Sequence, residues 1–495
     1  MKRLCTLLEN SAERDPYKAA LITNEGNFTY KQLVEERDQI AAYMQTCGAR
    51  AGDRIILLLP HCKFLVTSIF AASKLGLTFI LLHESMTKYQ LDYIIKDSQA
   101  SYLLTNSNFF KKMNLSSDLG LYVILEDFIK NAEKNVFSQE QDNSVAEIAC
   151  LLYTSGSTGR PKAIISYYSN IIFVLKSIQT CLEIKKNDVI GSFLPLSFDY
   201  GMYQIFLAFY KSATLALGQR TDIGPFMVRK LKQWNVTVLP IVPSIGEALI
   251  KLMHRQQLQL PKVRLITNTG ATFPEIYIQK FKISFPNANL YLMYGLTECK
   301  RVSILQPEYL DVKPHSVGRP LPGTHCTIVD EKGIELPPYQ VGELIVHGPH
   351  VMMGYWNDQE RTNQVFQNMN TATRSLCTGD YFWMDNEGFL YFYARKDDMY
   401  KQNGFRISPT EIELAAIDIS GVEQAVLILV GTAKIPSLVV SSILNSENIR
   451  EELKVRLEDY KIPEYIYIKN DLPFTINGKI DKNKLQMEIT KEGEI

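Results

Sequence analysis

The 495-residue chain lacks a net charge, because 53 Lys and Arg offset 53 Asp and Glu. That balance leaves no broad field to draw in nucleic acid or an anionic membrane. Long apolar runs are missing as well. Residues 55–60 and 75–82 fall well short of the roughly 20 that a membrane-spanning helix needs. The opening stretch turns polar by Glu9, too early for a secretory apolar segment. Cysteine is sparse and scattered: the eight (5, 47, 62, 150, 181, 299, 326, 377) include no Cys-x-x-Cys pair. Neither a disulfide framework nor a zinc site is expected, and the seven histidines show no ligand spacing. Reduced thiols and a cytoplasmic location are the expectation. Repeats and low-complexity tracts are also absent.

Apolar residues make up 46% and charged residues 21%, an ordinary globular composition that excludes wholesale disorder. Residues 29–47 and 64–75 have helical periodicity, and the run at 53–59 has the character of a buried strand. Such alternation predicts an α/β architecture with mixed and parallel sheets. After about residue 320 short strands take over, as at 342–347 and 388–393. A polar stretch at 394–405 follows the last of them. Beyond it Ser408-Pro409-Thr410-Glu411 combines a capping box with Pro at the first helical position, a strong helix start. Strands at 425–430 and 438–444 and a helix at 446–460 follow. The predicted organisation is a large domain, 1–395, hinged to a small mobile α/β domain, 398–495.

The most specific segment is 150–165, CLLYTSGSTGRPKAII. An apolar strand runs into Thr154-Ser155-Gly156-Ser157-Thr158-Gly159, then Arg160-Pro161-Lys162, then apolar residues again. Hydroxyls and two glycines in six positions suit a loop whose amides and hydroxyls wrap phosphate oxygens beside a cation. Pro161 stands where a Walker A loop needs Gly, and strand rather than helix should follow. A plain Ser/Thr/Gly hairpin turn needs far fewer fixed positions.

With this string the chain resembles the adenylate-forming superfamily, which includes acyl-CoA synthetases, adenylation domains of non-ribosomal peptide synthetases and luciferase. Further motifs occur in order. Tyr294-Gly295-Leu296-Thr297-Glu298 resembles an aromatic-Gly-x-Thr-Glu motif, implying Tyr294 against adenine, Thr297 at the α-phosphate and Glu298 as the Mg²⁺ ligand. Thr269-Gly270-Ala271 resembles the segment lining adenine, and Thr378-Gly379-Asp380 the ribose motif. Arg395-Lys396-Asp397-Asp398 resembles an Arg-x-Asp hinge, with Arg395 near ribose or phosphate and Asp397 as pivot. Asn477-Gly478-Lys479 resembles the segment that carries the catalytic lysine. The resemblance implies a ligase using ATP and Mg²⁺, with Lys162, Thr297, Glu298 and Lys479 as its catalytic groups. Ala163 and Ala394 depart from the pattern, each replacing a Gly. Carboxylate attack on a phosphate joins two anions, so cations aimed at the developing charge are what the chemistry requires. A regulator that had lost catalysis would be expected to lose charged members of this set.

The acid is read from residues 194–206, LPLSFDYGMYQIF. In amino-acid-activating members an Asp at the place of Asp199 pairs with the substrate ammonium; the competing reading makes Asp199 a helix N-cap. By motif the remaining pocket positions are Tyr200, Tyr203, Pro240, Thr267, Met293, Arg301 and Val302. Their bulk favours a small acid. Similarity to free-standing prolyl ligases makes L-proline the first expectation, loaded on the phosphopantetheine of a separate carrier protein as in non-ribosomal peptide synthesis. The alternative is an acyl-CoA synthetase for a fatty or aryl acid. No room for a carrier domain is expected after Lys479.

Overall fold

The computed structural model describes residues 3–115, 121–124, 147–155, 161–270, 273, 275–369, 374–396, 398–402, 405–431, 434–476 and 478–491. Near the N-terminus the helix Tyr30–Thr46 starts where Thr29 and Gln32 exchange capping hydrogen bonds. Leu33, Ile40, Ala41 and Met44 form its buried face, at three- and four-residue spacing. The strand Arg54–Leu58 is apolar on both faces, as expected for a parallel strand covered on each side. The next helix, Lys63–Leu75, stops at Gly76, whose φ of 72° is left-handed.

Two large sheets hold most of the chain. One has nine strands, in the order Arg319–Pro320, Ser303–Leu305, Asn289–Tyr294, Leu265–Asn268, Val238–Ile241, Val189–Ser192, Thr214–Leu217, Ala19–Thr23 and Gly26–Thr29. Its inner strands run parallel. The other has six, ending in the antiparallel pair Ile148–Ser155 and Pro161–Tyr167. Between and around them lies a core that includes Phe70, Phe79, Phe206 and Phe209, buried beneath the helices. Each such side chain contributes about 1.5–3 kcal/mol by leaving water. A five-stranded antiparallel sheet built from His325–Val329, Gly342–His347, Phe366–Gln367, Ser375–Met384 and Leu390–Arg395 completes this part.

The remainder has its own interior. Ile412, Ala416, Leu427, Leu438, Ile449 and Leu453 pack on one face of a three-stranded sheet; Val426, Ile428, Val439, Leu485 and Ile489 pack on the other. Both clusters draw only on residues from Tyr400 onward. Ser408 caps its first helix, Pro409–Ile417, by accepting from the Glu411 amide. The predicted helix at 446–460 is shorter, Ser446–Arg456, and a 3-10 turn takes up Asp459–Lys461. A polar seam joins this part to the helix Pro243–Arg255. There Lys251 bridges Glu247 (2.9 Å) and Glu423 (2.6 Å), and Gln424 donates to Glu247 (2.7 Å). Among the described residues no helix is long and apolar enough to cross a membrane. All eight cysteines are free.

Candidate active site

In an open parallel sheet the crevice beyond the carboxyl ends of the strands is the natural ligand site. Here Val189–Ser192, Val238–Ile241, Leu265–Asn268 and Asn289–Tyr294 all end on one side, and Tyr294 at the end of the last of them joins Asp380 and Arg395.

Tyr294, last in its strand, donates its hydroxyl to Asp380 Oδ2 at 2.6 Å. Asp380 faces Arg395 across an antiparallel register, with Arg395 Nε at 3.1 Å from Oδ1. Only 2% of Asp380 is exposed. Burial raises its carboxyl above the ordinary range, against the pull of Arg395 and Tyr294. Thr378 Oγ1 accepts from the Asp380 amide at 3.1 Å and braces the turn at Gly379. Behind Tyr294 the buried Thr269 hydroxyl donates to the Met293 carbonyl (3.0 Å), which ties two strand ends together.

The phosphate side is a charged triangle. Lys162 Nζ lies 2.8 Å from Glu298 Oε1 and 3.0 Å from the Tyr355 hydroxyl, which itself donates to Glu298 Oε1 at 2.9 Å. Burial alone would raise the Glu298 carboxyl, but Lys162 and Tyr355 overcome it and hold the group below its usual value. It is therefore ionised. Thr154 and Lys162 are register partners on the two strands that lead into and out of the loop, so strand does follow it, as expected. Thr154 Oγ1 is buried without a hydrogen-bond partner among the described residues. Gly156, Ser157, Thr158 and Gly159, the side chain of Ser155, and likewise Ala271, Asp397 and Asn477 lie outside the described residues.

Thr297 and Glu298 stand on a tight turn. A Cβ on Gly295 would come 1.9 Å from the Lys300 carbonyl, and Lys300 has a left-handed φ of 65°. Lys479 reaches the same cleft from the small unit. Burial, then the nearby Arg395, lowers its pKa; Asp380 and Asp199 act in the opposite sense. Gly478 lies against the start of the helix Pro243–Arg255, where a Cβ would meet Ser244 Oγ and Val242 Cγ2 at 2.6 Å.

Next to these groups is a narrow, partly open cavity of about 20 Å³, lined by Asp199, Tyr200, Tyr203, Thr267, Met293, Lys300 and Arg301 among others. Asp199 opens the helix Asp199–Tyr210 and accepts from the Tyr200 amide (2.8 Å). The helix cap is Phe198, so Asp199 stands one position inside the capping site of the competing reading. Tyr200 bonds Thr267, while the Tyr203 hydroxyl is buried without a partner. Lys300 is 4% exposed and Arg301 7%. Lys300 donates to the Thr297 carbonyl (3.1 Å) and Arg301 to Thr269 Oγ1 (2.6 Å). Arg301 Nε has no partner, and among the described residues neither cation forms an ion pair. Burial lowers both pKa values.

Two expected pocket positions fall elsewhere. Val302 packs in the core beneath the five-stranded sheet, because the strand it precedes turns that side chain away from the cavity. Pro240 is buried in its strand, but Val238, two positions earlier on the same face, lines the cavity. Lys300 and Tyr355 were missed. Lys300 stands two residues after the Thr-Glu motif, which could have drawn attention to it, whereas Tyr355 sits in an apolar Gly-Tyr-Trp context that reads as core.

Residues 8–356 match the model of the AMP-binding enzyme family, and the chain belongs to that family. It is an AMP-forming acid–thiol ligase. It is 28% identical over 484 residues to the 2-succinylbenzoate–CoA ligase of Bacillus licheniformis, covering 97% of this chain and 98% of that one. Among solved structures it resembles VinN, with 32% identity, a TM-score of 0.73 and coverage of 79% of this chain and 98% of that one. A complex of VinN with L-aspartate is similarly close (31%, TM-score 0.71, coverage 79% and 98%). The O-succinylbenzoate coenzyme A synthetase MenE from Bacillus subtilis, solved with ATP and magnesium, matches with TM-score 0.84 and 26% identity, covering 97% of this chain and 99% of that one. These relatives favour a CoA ligase for an acyl or aryl acid over the expected proline and carrier protein.

Proposed function

We propose that the enzyme adenylates a small acid that carries a second carboxylate, and transfers it to the thiol of coenzyme A. The observation that carries this reading is the pair of buried cations, Lys300 and Arg301, on the wall of the acid cavity. A desolvated cation is costly without an anionic partner, and neither a proline ring nor a fatty chain supplies one. A second carboxylate does. The likeness to ligases named for 2-succinylbenzoate, itself a diacid, supports the same reading.

The groups described above suit two successive displacements. The first carboxylate attacks the α-phosphorus of ATP, the bond to the bridging oxygen breaks, and pyrophosphate leaves. The thiol then adds to the acyl carbonyl and AMP departs. Lys479 and Lys162 are assigned to the charge that develops on the phosphates, Thr297 to the α-phosphate, and Asp380 with Arg395 to the ribose side. Tyr294 and the Thr269–Ala271 segment are assigned to the adenine. The unpartnered Thr154 hydroxyl fits a phosphate oxygen, and the ionised Glu298 fits Mg²⁺. Mg²⁺ would neutralise phosphate charge; carried on ATP, it needs only one or two protein carboxylates. Once acyl-AMP has formed, the small unit reorients about Asp397 to admit the thiol.

Asp199 favours a second, narrower reading. Its carboxylate shares the cavity with the two cations and pairs with neither, so it is free for a substrate ammonium. The acid would then be an amino diacid, a reading supported by the VinN complex with L-aspartate. Exchange of labelled pyrophosphate into ATP, tested with succinate, an aromatic diacid, L-aspartate, L-proline and hexadecanoate, separates these cases. Diacids should support exchange, and Arg301→Ala should cut their kcat/KM by about two decades or more. L-Aspartate exceeding succinate would favour the amino diacid. Proline or hexadecanoate outranking every diacid would remove the reading. Offering CoA and a phosphopantetheinylated carrier in parallel decides the acceptor.

A further inference from the structure

We propose that Tyr355 is a positioning residue for adenylation, one that holds Lys162 and Glu298 in register while each exchanges its partner for the nucleotide. The proposal rests on assigning Lys162 to phosphate and Glu298 to the metal. The two form an ion pair of 2.8 Å. Both must give up part of that pairing when ATP arrives. A phenol has one hydrogen to donate and lone pairs to accept with. The Tyr355 hydroxyl uses the hydrogen on Glu298 (2.9 Å) and accepts from Lys162 (3.0 Å), so it closes the triangle.

The scaffold around Tyr355 is stiff and tied to the phosphate loop. Its amide donates to Thr362 Oγ1 at 2.9 Å. The flanking residues pair with the loop's exit strand: the Ile165 amide donates to the Gly354 carbonyl (3.0 Å) and the Trp356 amide to the Ala163 carbonyl (2.9 Å). Lys162 Nζ also lies 4.5 Å from the centre of the Tyr355 ring, whose edge meets Phe366. The hydroxyl therefore moves with the strand that bears Lys162. Without it, the direct Lys162–Glu298 pair stands unbraced by the hydroxyl and competes with Mg²⁺ and phosphate.

Tyr355→Phe removes the hydroxyl and keeps the ring. Calorimetric binding of Mg·ATP without acid should weaken about tenfold, and pyrophosphate exchange should fall about 10- to 100-fold, the scale of a hydrogen bond to a charged group. The KM for the acid, the thermal midpoint, and thioester formation from supplied acyl-AMP should stay near wild type. Unchanged Mg·ATP affinity and exchange would overturn the proposal. So would an equal loss in both half-reactions together with a lowered thermal midpoint, which is what a packing role predicts. Lys162→Ala separates the proposal from its premise. If that variant exchanges normally, the phosphate assignment fails and the proposal with it; if it is inactive while Tyr355→Phe is unaffected, only the role of Tyr355 falls.

Discussion

The site uses its charges unevenly. Lys162, Glu298, Asp380 and Arg395 are satisfied by one another, whereas Lys300, Arg301 and Asp199 face the acid cavity without ion-pair partners among the described residues. The first group was legible because its members sit in motifs whose spacing sequence preserves. The cavity was only partly legible: which of two neighbouring residues faces inward is a matter of tertiary packing, and Val302, next to Arg301, packs in the core. His350 offers a test elsewhere. It is fully buried, stacked on Phe173, and neither ring nitrogen has a partner among the described residues. Burial, then Arg374, lowers its pKa from 6.5 to about 4. Between these values the unfolded chain binds the proton more readily, so stability is full above pH 6.5 and declines as pH falls toward 4. The loss attributable to His350 is about 3 kcal/mol. The stability difference between wild type and His350→Phe, from urea unfolding at pH 4–7, should change by that amount. A difference independent of pH would show that this histidine is not held neutral.

Helices with strong start signals came through well. Ser408 caps its helix where the sequence put it, since capping is a local bargain between a side chain and the next three amides; the cap at Thr29 was read only as part of a helical stretch. Sheet order, by contrast, could not be read, because parallel partners lie far apart in the chain: Leu21 pairs Leu215. The helix Pro243–Arg255 could not be anticipated as a docking element either. It presents Glu247 and Lys251 to Glu423 and Gln424, and its first turn receives Gly478, the neighbour of Lys479. Lys251→Glu places three carboxylates on this seam and should loosen it. An exposed pair is worth only about 0–1 kcal/mol, so a severalfold drop in pyrophosphate exchange is expected. Thioester formation from supplied acyl-AMP should hold steady or rise. Equal losses in the two assays would mean that the seam does not set the lysine's position.

At the scale of the molecule, two self-contained interiors meet at a cleft in which Lys479, Asp380 and Arg395 influence one another. With Lys479 assigned to the phosphates, this arrangement is the one proposed for the first displacement. Asp397→Pro fixes φ at the proposed pivot and should trap this arrangement. Exchange should then survive while thioester formation collapses; losing both alike would count against a pivot there. The tight turn from Gly295 to Arg301 has a consequence of another kind. Glu298, assigned to the metal, is two residues from Lys300 and three from Arg301, and the left-handed backbone at Lys300 stiffens the link. A lineage that changes its acid must therefore rewrite the wall of the pocket within the hairpin that serves its oldest chemistry. Descendants with new diets should carry paired replacements here, the second restoring what the first disturbed.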